Sequence, residues 1–161
     1  MVVTRDHGLQ PVRWAGSRTV KGQGKLAPVR IAKGVMTGQE RDLLVSPQHR
    51  MLFQGYKAEL LFGETEVLAA AIHLVDGLDV VQQEVEAVTY VHILFDRHEV
   101  IYAEGAATES FHPGDFSLGA VDGAARDELF SVFPELRSNV GSYGDTARRC
   151  LKKHEAGLLR G

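Results

Sequence analysis

From Val2 to about Phe116, apolar residues recur in short alternating runs separated by glycine, proline and polar turn residues. Pro11–Val20 carries Val12 and Trp14 before Gly16 interrupts it, and Pro28–Met36 alternates Val29, Ile31 and Val35. Leu43–Val45 and Arg50–Phe53 flank a Ser46-Pro47-Gln48-His49 corner, and Ala58–Phe62 follows Gly55. Successive Cβ atoms of a strand point to opposite faces, so a period of two is the mark of half-buried β structure. Runs of this length and spacing predict a mainly β fold, a sandwich, barrel or irregular disk, over a helical or parallel α/β one. Glu64–Val75 reads differently: Ala69-Ala70-Ala71 favours a short helix by propensity, with Gly77 placed to cap it. Tyr90–Ala103 predicts a hairpin, with Val91, Ile93 and Phe95 on one face of its first strand and Tyr90, His92 and Leu94 on the other. A two- or four-residue connection at Asp96-Arg97 sets His92 near Ile101 and His98 on the opposite face. A three-residue loop or a bulge changes that register.

Beyond Phe116 the period lengthens. Asp122–Leu136 places Ala125, Leu129, Phe130, Val132 and Phe133 at helical spacing, with Asp122 as N-cap and Pro134 as the end or a kink. Asp145–Leu159 predicts a second amphipathic helix through Ala147, Leu151 and Leu158. The expected organisation is a β domain over residues 1–118 and a helical appendix over 119–161 packed on it.

Composition narrows the function classes. A chain of 161 residues is one domain in the simplest case, large enough to bury roughly two thirds of its unfolded surface. Its 18 basic and 21 acidic residues give a net charge of -3, without the one-sided basic excess of nucleic-acid binders, so no nucleic acid is expected as partner. Val67–Val75, the longest apolar run, is broken by His73 and falls short of the roughly 20 residues of a transmembrane helix. No charged-then-apolar leader opens the chain, and the compartment is left open. The single cysteine, Cys150, excludes an internal disulfide and a multi-cysteine metal site. It lies among Arg148, Arg149, Lys152 and Lys153, cations that favour a thiolate, but a helical position beside Leu151 makes it a packing residue. Gly22-Gln23-Gly24-Lys25 lacks the length and setting of a phosphate loop, and no cofactor is expected.

Histidine carries the chemistry. His92, His98 and His112 cluster within Val88–Asp115, and histidine is the side chain that titrates nearest neutral pH. In the Ser46–His49 corner, a hydroxyl and an imidazole three residues apart converge on a tight turn; on spacing alone the favoured reading is a Ser-Pro turn whose Ser46 caps backbone groups, with His49 as polar surface. A histidine-based metal site would need three or four ligands from His49, His92, His98, Glu99 and His112. His112 before Pro113 reads as a loop histidine, His73 as one that satisfies a backbone group, and His7 and His154 as surface.

Three segments together resemble the bacterial Hedgehog/intein (Hint) domain family: Thr4–Gly16 (TRDHGLQPVRWAG), Leu43–Leu52 (LLVSPQHRML) and Tyr90–Val100 (YVHILFDRHEV). The third continues through Ala103-Glu104-Gly105 to Glu109-Ser110-Phe111, and the likeness extends to Ala147-Arg148-Arg149 and His154-Glu155-Ala156. The resemblance implies a horseshoe-like β disk that processes its own polypeptide, with the fused chain as substrate. In that family a Cys or Ser at the first position attacks the preceding carbonyl, and the resulting ester or thioester is cleaved, transferred or spliced. Ser46 and His49 stand in the places of the family's T-x-x-H motif, which implies that His49 is general acid and electrostatic aid. The later motif implies a second acid/base group at His92 or His98, with His92 favoured because it lies within a strand. Glu109-Ser110 stands where inteins carry His-Asn. Serine cannot cyclise, so cleavage or acyl transfer is expected in place of splicing.

Met1-Val2-Val3-Thr4 reads as the interior of the family's early β region. The expectation is therefore a chain inactive as it stands, with a complementing N-terminal fragment as a further partner. The alternatives are a non-catalytic β interaction module and the histidine-based metal-binding domain.

Overall fold

The computed structural model describes residues 1–114 and 123–160. In chain order its elements are β1 (Val2–Thr4), β2 (Gly8–Gln10), β3 (Trp14–Gly22), β4 (Val29–Ile31), β5 (Leu43–Val45), β6 (Arg50–Gln54), α1 (Tyr56–Phe62) and β7 (Glu66–Ala70). There follow β8 (Val80–Gln82), β9 (Val85–Leu94), β10 (Val100–Ala103), β11 (Ala106–Glu109), α2 (Gly123–Val132) and α3 (Lys153–Arg160). The mainly β class expected from the alternation holds. Two compact units form, one from Met1–Thr19, Thr89–Ile101 and Ser110–Ala147, the other from Val20–Val88, Tyr102–Glu109 and Arg148–Gly161.

In the first unit, β1 and β2 pair antiparallel from Val2 opposite Gln10 to Thr4 opposite Gly8. The Thr4 hydroxyl closes this hairpin, donating to Gly8 O at 2.8 Å and accepting the His7 N–H at 3.1 Å. Trp14, Leu94, Phe111, Leu129, Phe133 and Leu136 make the core. The buried indole N–H of Trp14 donates to Ala125 O at 3.2 Å, the polar handle that a buried tryptophan needs. Gly16 does not break the run as expected. β3 continues through it, and a Cβ there would lie 2.4 Å from the Trp14 ring, so glycine is what lets the indole fold over its own strand. α2 stops at Val132, and Pro134 opens a 3-10 turn over Pro134–Arg137; a residue without an N–H fits a first turn and not a helix interior. The expected cap Asp122 lies outside the described residues.

In the second unit, β5, β4 and β8 form an antiparallel sheet in that order, Val29 facing Val45 on one side and Gln82 on the other. A second sheet has the order β10-β11-β6-β7. Val29, Ile31, Met51, Val67, Ala69 and Ala71 are among the fully buried core residues of this unit.

Three expectations fail in this unit for identifiable reasons. The short helix expected from Ala69-Ala70-Ala71 is reduced to a 3-10 turn over Ala71–Leu74, with Val75 and not Gly77 at its end, and Ala69 and Ala70 belong to β7. β7 pairs with β6 over five positions, from Arg50 opposite Ala70 to Gln54 opposite Glu66. On its other side Leu68 bonds to Arg149 O and Leu151 N–H, at 2.9 and 2.8 Å, and two-sided pairing outweighs a propensity of a few tenths of a kcal/mol per residue. Ala58–Phe62 is helical, not β: Gly63 closes α1 in the left-handed conformation at φ 69°, and Ala58 and Phe62, one turn apart, are its core-facing residues. The last helix starts at Lys153, not Asp145, because Cys150 lies beside Leu68 in a parallel bridge. There Glu155 accepts the Lys152 N–H at 2.8 Å, which satisfies one of the donors a helix start leaves open.

The expected Tyr90–Ala103 hairpin is also replaced. β9 pairs with β3, and β10 pairs with β11. Phe111 N–H bonds to Ile93 O and Ser110 N–H to Glu99 O, both at 2.9 Å, so the chain at 110–111 takes backbone groups of both expected arms that the hairpin reserved for each other. Among the described residues no helix is long and apolar enough to cross a membrane.

Candidate active site

β5 runs apolar into Ser46, and Pro47 then sets the φ of the second turn position. His49 N–H donates to Ser46 O at 3.0 Å, closing the turn. Ile72 N–H donates to Pro47 O at 2.9 Å and Ala71 N–H to His49 O at 2.8 Å, so the corner is held by main-chain bonds at both ends. Ser46 and His49 are both half-buried, at the two ends of one rigid turn.

The His49 imidazole has a specific partner. Its Nε2 hydrogen-bonds to the hydroxyl of Thr108 on β11. Thr108 is 2% exposed, pairs opposite Met51 and donates its own proton to Arg50 O at 3.0 Å. A hydroxyl has one proton to give. With that proton on Arg50 O, Thr108 accepts from His49, and the ring carries hydrogen on Nε2.

The neighbouring positions hold a buried ion pair. Glu109, 1% exposed, accepts the Arg50 main-chain N–H at 3.0 Å and faces the Arg50 guanidinium at 3.3 Å. A buried carboxylate needs both kinds of partner to offset its lost hydration. Residues 50 and 109 thereby clamp the two strands that carry His49 and Thr108.

His92 and His98 belong to the other unit. His92 lies half-buried on β9, its ring 5.0 Å from that of Phe111. His98 lies after β9, 3% exposed. Its Nδ1 accepts the Ala147 N–H at 2.9 Å and its Nε2–H donates to Ser110 O at 3.1 Å. Both ring nitrogens thus hold main-chain groups. His112 repeats the device, accepting the Gly114 N–H at 3.1 Å and donating to Gly144 O at 2.9 Å. It is buried, packed edge-on against His98 at 5.1 Å and Tyr143 at 5.3 Å. The Tyr143 hydroxyl donates to Phe95 O at 2.7 Å; burial first, then the Glu99 charge, pushes its ionisation well above the ordinary tyrosine range. Ser110, in the intein asparagine position, accepts the Glu99 N–H on its hydroxyl at 2.9 Å.

Sequence reasoning missed two further features. His7, read as surface, meets both carboxylate oxygens of Glu99 at 2.9 Å through Nδ1, and Arg97 donates to its Nε2 at 3.3 Å. Thr108 was also passed over, and Glu109, noted only for its place beside Ser110, was not expected to pair with Arg50. The available signal was a hydroxyl and a carboxylate inside a strand of buried residues, which must find partners when the strand is covered. Among the described residues no group of three or more His, Cys, Asp or Glu side chains could hold a metal ion. The shared histidine site fails because the rings of His98 and His112 are spent on main-chain bonds.

A family model described as Hint domain matches residues 1–115. No curated protein and no solved structure matches the chain.

Proposed function

This chain belongs to the Hint-domain family, and from that premise we propose that it performs self-processing by an acyl shift, ending in cleavage or acyl transfer. Membership implies autoprocessing chemistry in general; the roles below are our assignment. The observation that carries it is the His49 ring, held at Nε2 by a buried hydroxyl at the end of a turn pinned on both sides. A histidine so oriented is suited to proton transfer at a fixed point.

In the proposed step a thiol or hydroxyl of the substrate chain attacks the carbonyl carbon that precedes it. The C–N bond breaks, the proton given up by that thiol or hydroxyl reaches the leaving amine through His49, and a thioester or ester remains. Water or an external nucleophile then releases the acyl group. Ser46 is assigned a hydrogen bond to the reacting carbonyl oxygen. We assign the second acid/base role to His92 in preference to His98, because both nitrogens of His98 hold main-chain groups; His98 is then a positioning residue.

The test joins this chain behind a reporter through a segment that places a cysteine at the junction. Intact mass is followed with and without added thiol at neutral pH. Release of the reporter is expected, falling by about 10²-fold in His49→Ala, the usual size of a general-acid contribution. A joined chain that stays whole in both conditions overturns the proposal and leaves an interaction module.

A further inference from the structure

The short 3-10 segment Ala71–Leu74 and the first turns of α3 border a cleft of about 600 Å³ in the second unit. Ile72, His73, Val75, Lys153, His154 and Gly157 line it. Of these six residues, three carry basic nitrogen, two are branched apolar, and one has no side chain to fill the space. No carboxylate is among them. The two acidic groups nearest in sequence are engaged elsewhere. Glu155 bonds to the Lys152 N–H and to Arg149, at 2.8 and 2.7 Å. Asp76 accepts the N–H groups of Leu78, Asp79 and Val80 at 2.8 to 2.9 Å. The charge of Glu155 still reaches His154, so the positive charge of the lining rests chiefly on Lys153.

His73 adds a second, independent sign. Its Nδ1 is buried and has no hydrogen-bond partner among the described residues, against the expectation that this ring would satisfy a backbone group. A buried polar atom left unpaired costs about 1 to 3 kcal/mol, and a native fold that keeps one invites a functional reason. Burial, and then the charge of Lys153, hold the ring below the ordinary histidine range. An anion seated beside Lys153 would reverse the second effect and give the imidazolium a partner.

We propose that this cleft binds a small organic oxyanion, a carboxylate or phosphate, with Lys153, His154 and His73 around its head group and Ile72 and Val75 against its apolar part. The size fits: small-molecule sites occupy roughly 300 to 1,000 Å³, apolar walls with a few convergent polar groups. The site is separate from the His49 turn in its chemistry and does not depend on self-processing.

The experiment is NMR titration of the whole chain with isovalerate in one arm and inorganic phosphate in the other, against chloride at matched ionic strength. At least one arm is expected to give saturable shifts at His73, Lys153, His154 and Gly157 that chloride does not, with the His73 titration midpoint moving upward. The arm that saturates at the lower concentration identifies the head group. Lys153→Ala, an exposed position whose loss leaves the core intact, is expected to weaken binding about tenfold, the worth of one charge-assisted bond. Shifts that stay linear in both arms, or that are unchanged in Lys153→Ala, overturn the proposal.

Discussion

Replacing His98 with alanine removes a ring that holds two main-chain segments at once, and the geometry sets the size of the loss. The Ser110 carbonyl belongs to a residue 1% exposed, so removing its donor at 3.1 Å strands a buried acceptor, at about 1 to 3 kcal/mol. Ala147 is only half-buried. Water can reach its N–H, and that bond at 2.9 Å is worth about 1 kcal/mol net. The edge contact with His112 at 5.1 Å adds about 1 kcal/mol. His98→Ala is therefore expected to cost about 4 kcal/mol in urea unfolding, seen as a lower midpoint with an unchanged m-value. His98→Gln, whose amide N–H can still donate to Ser110 O but whose amide oxygen does not stand where the ring places Nδ1, is expected to lose about half as much. A cost below about 1 kcal/mol for alanine, or no recovery with glutamine, would refute the reading of this ring as a main-chain staple.

Arg50→Met leaves the Glu109 carboxylate with the main-chain N–H at 3.0 Å as its remaining partner of the two described above; a loss of about 3 kcal/mol is expected in the same assay, largely recovered in the double variant with Glu109→Gln. Thr108→Val keeps the shape of the side chain and removes the hydroxyl that holds His49. It also removes the donor to Arg50 O, so a fall of about 1 to 2 kcal/mol is expected in urea unfolding. At a temperature where both proteins are fully folded, reporter release should slow by at least about tenfold, and equal rates there would show that the His49 orientation is not used. Tyr143 makes a pH prediction. Its folded ionisation is raised above the unfolded value of 10.0, so its contribution to stability is complete below about pH 10 and is lost as the pH rises further, where the unfolded chain ionises first. Tyrosinate absorbance of wild type and Tyr143→Phe should coincide up to the point of alkaline unfolding, and a wild-type excess near pH 10 would contradict the burial argument.

Much of the chain was legible as local pattern. Strands Val29–Ile31, Leu43–Val45 and Arg50–Gln54 and the end of α2 before Pro134 follow from period-two alternation and from the missing proline N–H, both properties of a few consecutive residues. The Ser46–His49 turn was visible for the same reason, since Pro47 presets its own backbone wherever the turn is placed. The mainly β class and the family resemblance came with them.

What a window of ten residues could not contain is the choice of partner. Ala69 and Ala70 became a strand because Met51 and Arg50 pair with them and Leu68 beside them bonds to Arg149 and Leu151 on the other side, and β9 paired with β3 while residues 110–111 displaced the expected hairpin arm. The histidines divide along the same line. Sequence alone identified His49, His92 and His98 as the rings to watch; Thr108, 59 residues from His49, and Ala147, 49 residues from His98, settled what holds two of them. A side chain's identity is local, but the environment that orients its nitrogens is assembled from distant segments, and only the tertiary structure decides which hydrogen bond each nitrogen makes.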